Sequence, residues 1–302
     1  MRPPASPGGG GPIPLPKLED RTVLVGRTPW LLHCLLSLAA LSAAAAAADW
    51  PQWGGADGRN HVSAEKGLPD CFAPGRKKPG GGIDMATARN VKWVARLGTY
   101  AYGNPTVARG KVFVGTDDSA LRGDKRLKRT RAGLVHCFDE ATGKLLWRLV
   151  VPKRTRMPKG AHYGHQHLGV CSSPTVDGDR LYVMTCATEI LCLDVHGQAN
   201  GNGGPFTDEG RYMVGRGKPP VKLQPTDADI LWRYDLMDEL GVVPHDVPSC
   251  SVLIHGQFLY TSGDRYIEMG MKAARNLMGE NHDLRTAATD ERYAEEEVTS
   301  DE

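Results

Sequence analysis

The chain has 302 residues, 40% of them hydrophobic, enough to bury the core of one large domain or two ordinary ones. Its 37 Lys and Arg stand against 35 Asp and Glu, a net charge of +2. That balance excludes a globally basic nucleic-acid-binding surface.

The first 28 residues are rich in Pro and Gly. An apolar run from Trp30 to Ala48 follows, with Arg27 before it and an Ala-rich end before Asp49. Basic, hydrophobic and small-residue regions in that order predict a secretory signal, so residues 1–48 read as leader and signal peptide cleaved near Ala48. A membrane anchor is the rival, but the second half of the run is almost all Ala and Ser. Initiation at Leu24 or Val25 would restore an ordinary signal length. The expectation is an exported protein, periplasmic or extracellular, with no stable membrane anchor after cleavage. Cleavage removes Cys34 and leaves Cys71, Cys137, Cys171, Cys186, Cys192 and Cys250. An even count in an exported protein invites disulfides, although spacing assigns no pairing.

The mature start reads Asp49-Trp50-Pro51-Gln52-Trp53, and a Gly/Pro-rich loop runs on to Gly82. Strands are predicted next. Val91 to Leu97 holds Trp93; Pro105-Thr106-Val107 opens a strand pair through Val114; Leu134 to Asp139 and Leu145 to Val150 flank the turn Glu140-Ala141-Thr142-Gly143-Lys144. The order then repeats. Pro174-Thr175-Val176 leads through Val183, Glu189 to Asp194 forms the next strand, and Ile230 to Tyr234 carries Trp232. Ser251 to Tyr260 starts a looser third copy. Repeated short antiparallel strands predict an all-β protein of four-stranded, propeller-type blades over residues 49–263, about three of them. Cys137 and Cys192 occupy the same place in two copies, which reads as a small buried packing position. Trp93, Trp147 and Trp232 read the same way, as packing between blades. Asp139 and Asp194 end matching strands, where a carboxylate accepts turn N–H groups.

From Asp264 the repeat stops, and residues 264–302 read as an acidic tail, helical or disordered, with Glu295, Glu296 and Glu297 in a row. Propellers close with about four to eight blades, so the ring is expected to be incomplete. A truncated or frame-shifted copy of a longer protein, self-association, and a short family member are the three explanations.

The Asp-Trp-Pro-Gln-Trp start, Cys137-Phe138-Asp139-Glu140-Ala141-Thr142-Gly143-Lys144-Leu145-Leu146-Trp147 and the Pro-Thr-Val strands together resemble the pyrroloquinoline-quinone-like (PQQ-like) β-propeller repeat proteins. That group is related in fold to quinoprotein dehydrogenases and to outer-membrane assembly propellers. The resemblance implies export and blade architecture. PQQ and calcium enter as cofactors by this resemblance alone.

Candidate sites are sparse. His162, His165 and His167, with Cys171 close behind, concentrate side chains suited to zinc or copper; the plainer reading is a polar loop leading into the Pro174 strand. Asp194, Asn200 and Asn202 place oxygen donors along a Gly-rich loop, as calcium would require; the plainer reading is a long turn. The basic residues Arg122, Lys125, Arg126, Lys128, Arg129 and Arg131, continued by Lys153, Arg154, Arg156 and Lys159, read as a solvated insertion, since no aromatic residues interleave them for base stacking. The phosphate-loop and Gly-x-Ser-x-Gly patterns are missing. No catalytic set is legible. The reading is a binding or assembly scaffold, with an envelope protein or a glycan as partner and no nucleic acid. The alternatives are a quinoprotein-type oxidoreductase and a non-functional truncated copy.

Overall fold

The computed structural model describes residues 48–121, 124–157, 164–241, 243–244 and 246–261. The chain divides at Ala46/Ala47. The signal-peptide expectation falls almost entirely, and the acidic-tail expectation entirely, outside the described residues.

A short hairpin, β1 (Arg76–Lys77) with β2 (Ile83–Asp84), precedes the blades. Blade 1 is a four-stranded antiparallel meander of β3 (Thr106–Ala108), β4 (Lys111–Asp117), β5 (Gly133–Asp139) and β6 (Leu145–Val151). Blade 2 repeats it with β7 (Thr175–Asp177), β8 (Arg180–Met184), β9 (Glu189–Asp194) and β10 (Ile230–Asp235). Before β10 lies the short helix α1 (Glu209–Val214), and directly after it α2 (Leu236–Leu240). A hairpin of β11 (Leu253–His255) and β12 (Phe258–Tyr260) begins a third unit. The strands β3, β7 and β11 neighbour one another and so mark the inner side. The architecture is all-β and propeller-type, and among the described residues the ring is not closed.

Register explains why the repeated residues recur. In blade 1, Thr106 pairs with Phe113, Phe113 with Cys137, and Cys137 with Trp147. In blade 2 the same row runs Thr175, Tyr182, Cys192, Trp232. Each cysteine sits between two large rings on one face of its sheet, where a larger side chain would push them apart. Both cysteines are fully buried, and burial pushes the Cys137 thiol up to about 12.

Both faces of blade 2 are apolar because it is sandwiched. Leu181, Val183, Leu191 and Leu193 join Phe113, Trp147 and Leu149 of blade 1 in one core. The alternate residues Tyr182, Met184, Ile190 and Cys192 form a second core with Leu236 and Val252, on the side of the β11–β12 hairpin. The mature start runs along the inner edge. Trp50 exchanges two backbone hydrogen bonds with Val107 of β3, and Pro51 accepts one from Val176 of β7. Further along, Arg59 donates to the Ser251 carbonyl and His255 pairs with Asp57 at 2.8 Å.

One element differs from expectation. Residues 91–97 form no strand, because no neighbouring strand among the described residues offers them a ladder. Trp93 nevertheless packs as predicted, against Phe138 and the blade 1 turn.

Candidate binding cleft between the blades

A cleft of about 430 Å³ opens where β6 leaves blade 1. Its walls are the segment from Pro152 to Arg156, the neighbouring ends of β9 and β10, and α1. Helix α1 is held over it because Met213 and Val214 are buried in the core shared by the two blades. Tyr212 and Phe206 meet edge to face with ring centres 6.2 Å apart, forming the apolar part of the lining.

At the base lies Glu189, the first residue of β9, 4% exposed. Arg233 donates to its Oε1 at 2.6 Å and the Tyr212 hydroxyl to its Oε2 at 2.7 Å. Burial raises the Glu189 carboxyl, and the positive charge of Arg233 only partly offsets this. Burial, reinforced by the Glu189 charge, pushes the Tyr212 phenol well above its ordinary range. Tyr212 is therefore a hydrogen-bond donor here and not a base.

The second anchor is Arg154, whose side chain is only 9% exposed. Its Nη1 donates to both oxygens of Asp235 at 2.9 and 2.7 Å, and its Nη2 to Asp238 at 2.7 Å. Asp235 Oδ1 also accepts the Met237 and Asp238 N–H groups and so caps α2. The carboxylates thus fix one guanidinium from each wall. Six basic side chains line the cleft (Lys153, Arg154, Arg156, Arg211, Arg216, Arg233) against four acidic ones (Glu189, Asp208, Asp235, Asp238). Lys153, Arg156 and Arg216 are exposed and have no carboxylate within ion-pair distance among the described residues.

Parts of the basic run are thus not solvated. Besides Arg154, the Arg126 side chain is only 20% exposed and grips Asp227 with two bonds, at 2.8 and 2.9 Å. Asp124 binds both Arg126 and Arg148. Burial works to raise the Asp124 carboxyl, but those bonds outweigh it and hold it at about 2. Arg122 and Lys159 lie outside the described residues.

The residues singled out for metals are dispersed. His162 lies outside the described residues. His165 pairs with Asp246 at 2.5 Å, and its ring lies 5.6 Å from that of His167, which meets Tyr100 edge-on. Asp194 accepts the His196 N–H at 2.7 Å and the Asn200 side-chain amide at 3.1 Å, closing its own turn. Asn202 instead donates to Glu209 at 3.0 Å. Among the described residues no three His, Cys, Asp or Glu side chains are grouped to hold a metal ion. Glu189, Tyr212, Arg233 and Asp235 escaped the sequence reading, because the pairs they form, Glu189 with Arg233 and Tyr212 and Asp235 with Arg154, occur once and join residues far apart in the chain. The signal that was present is Arg233, a charge directly after the repeated Trp.

Residues 120–200 match the family described as PQQ_2, outer membrane protein assembly factor BamB. No curated protein matches the chain. Among solved structures, the quinohemoprotein alcohol dehydrogenase from Comamonas testosteroni aligns at 13% identity with a TM-score of 0.35. The alignment covers 72% of this chain and 24% of that one, so the chain spans about a quarter of its length. The matched residues run from just after β4 through the rest of blade 1 to just past β9, across the row that sets Cys137 against Trp147, and over that span the chain is similar to the PQQ-like repeat family.

Proposed function

We propose that this protein acts outside the cytoplasm as a binding or assembly scaffold, holding an envelope protein or a glycan on the rim of its blades. One observation carries this reading: the residues that stand out by repetition are engaged in packing or turns. Trp147 is 1% exposed, Cys137 and Cys192 are fully buried, and Asp139 and Asp194 accept turn N–H groups. What is left to function is surface and the cleft between blades 1 and 2. The family match to an outer-membrane assembly factor supports an envelope setting. No helix among the described residues is long and apolar enough to cross a membrane.

The test has two parts. Cell fractionation should place the protein in the envelope. A partner identified by crosslinking there, then purified, should form a complex of fixed stoichiometry with the chain on size exclusion. A cytoplasmic location, or purified components that elute separately, would overturn the proposal.

The quinoprotein alternative is compatible with the repeat, but the described residues do not fit the cofactor. Among the described residues no three His, Cys, Asp or Glu side chains are grouped to hold the calcium that the resemblance implies, and no two cysteines are adjacent in sequence to give a disulfide face. No catalytic step is derived through it. Calorimetric titration with the quinone, with and without calcium, should show no saturable binding.

A further inference from the structure

We propose that the cleft between the blades binds a phosphomonoester carried on a sugar-sized body. This rests on the binding-module reading and names the ligand class for its cleft. At about 430 Å³ the cavity is within the range of small-molecule sites, about 300–1,000 Å³. Its charge is set by residues that do different jobs. Arg154 has its donors occupied by Asp235, Asp238 and the Arg156 and Ala187 carbonyls, so it stiffens the wall. Arg233 is held by Glu189 through Nη1 alone, and its side chain is 36% exposed. Lys153, Arg156 and Arg216 add three charges that no carboxylate of the described chain answers.

Two of the six cations lining the cleft are in excess over its four carboxylates, which matches a ligand of two negative charges. Guanidinium groups bind phosphate oxygens in pairs, with charge-assisted bonds stronger than neutral ones. A concave low-dielectric wall focuses the field of those cations on the opening. The edge-to-face pair Phe206 and Tyr212 gives the lining an apolar surface for the C–H face of a sugar ring. The buried Glu189 is already saturated by Arg233 and Tyr212, which keeps its charge from opposing the anion.

The experiment is calorimetric titration of the full chain with glucose 6-phosphate, inorganic phosphate, glucose and a phosphomannan. Glucose 6-phosphate is expected to bind once per chain, to weaken with salt, and to outcompete inorganic phosphate, while glucose does not bind. Tighter binding of phosphomannan would assign a phosphorylated glycan as the source; weaker binding would assign a free sugar phosphate. Arg156→Ala with Arg216→Ala removes two exposed, unpaired cations and should weaken binding by about tenfold or more. A thermal melt like that of the parent confirms that this variant folds. Absence of saturable binding by folded chain, or binding unchanged in the variant, would overturn the inference. A purified envelope partner that still binds the variant would leave the scaffold reading standing while this one fails.

Discussion

The indole of Trp147, on the outer strand of blade 1, donates its N–H to the main-chain carbonyl of Val195 in blade 2, 2.9 Å away. The same bond is made one step earlier, where Trp93 donates to Glu140 at 2.8 Å. In each case the acceptor directly follows the aspartate that ends the third strand of a blade, and the ring lies over a glycine of the same turn, Gly197 or Gly143. Each Trp therefore ties its own segment to the turn of the next blade, so blades are joined by a polar bond inside an apolar contact.

Replacing Trp147 should separate these two contributions. Trp147→Ala removes one of the largest fully buried side chains and is expected to destabilise by roughly 3–5 kcal/mol. Trp147→Phe keeps a ring but leaves the Val195 carbonyl without its donor, at a cost of about 1–3 kcal/mol. Urea unfolding measures both. A Trp147→Phe cost near zero would show that the hydrogen bond contributes nothing, and equal costs for the two variants would show that the ring retained by Phe contributes nothing.

The glycine beneath the ring makes a sharper case. Gly197 and Gly178 have almost the same backbone angle, φ +58 and +57, but a Cβ on Gly197 would lie 2.7 Å from the Trp147 ring, while one on Gly178 meets nothing. Alanine at Gly178 pays only the left-handed backbone penalty, about 1–2 kcal/mol. Gly197→Ala must also displace the indole, an overpacking strain of about 1–3 kcal/mol more. The difference between the two melts reads the Trp contact directly.

What the sequence made legible is what it wrote twice. The pairing of Cys137 with Trp147 and of Cys192 with Trp232 follows from repetition, as do the turn-capping roles of Asp139 and Asp194. The cleft is the opposite case. Arg154 and Asp235 are 81 residues apart, and Glu189 and Arg233 are 44 apart; each pair occurs once, so no period betrays it. Composition also misled, since Arg126 and Arg154 belong to a run of basic residues that looks uniformly solvated, although only tertiary folding decides which of them meets a buried carboxylate. The strand predicted around Trp93 failed for a related reason: local alternation gives a strand only when a neighbour supplies the ladder.

Arg126 grips Asp227, whose side chain is 1% exposed and also accepts the Gln224 N–H. Arg126→Ala leaves that carboxylate buried without its cation, and a loss on the order of 3 kcal/mol is expected. Lysine should restore little, because one ammonium cannot make both bonds at 2.8 and 2.9 Å. Asp124 provides a second readout. Its carboxyl is held at about 2 by Arg126 and Arg148, so it supports folding above the ordinary carboxylate range and loses that support only as pH falls toward 2. In Arg126→Ala the loss should begin at higher pH, visible by carboxylate NMR titration.

Asp229 lies 1% exposed beside Glu209, with its Oδ1 unpartnered. Burial first, and then the neighbouring carboxylates, raise it to about 6, against the lowering effect of the Gly203 N–H. A raised carboxyl means that the folded state binds the proton more tightly than the unfolded state. Stability from this group is therefore present below about pH 4 and is lost as pH rises through 6. Asp229→Asn can keep accepting from Gly203 while donating toward Glu209, and should stabilise the protein at pH 7 by on the order of 1 kcal/mol. The gain should vanish at pH 4. A gain that is the same at both pH values would show that the two carboxylates are not coupled to folding.

His136 gives a slope of the opposite sign. It is 4% exposed, faces Arg148 across the strands, and its Nδ1 has no hydrogen-bond partner. Burial, helped by the Arg148 charge, lowers it to about 4, while in the unfolded chain it titrates near 6.5. Between those values the unfolded state takes up the proton and the folded state refuses it. Stability is intact above pH 6.5 and falls as pH drops to 4, by up to about 3 kcal/mol. Over pH 4 to 6 this loss runs against the gain from Asp229, so the parent protein should show a shallow net profile. His136→Leu removes the titrating group, keeps a similar volume and should cost less than about 1.5 kcal/mol at pH 7. Stability of that variant should then rise toward pH 4, where the raised carboxyls of Asp229 and Glu189 act in the same direction. A profile parallel to the parent's would refute neutral burial of His136.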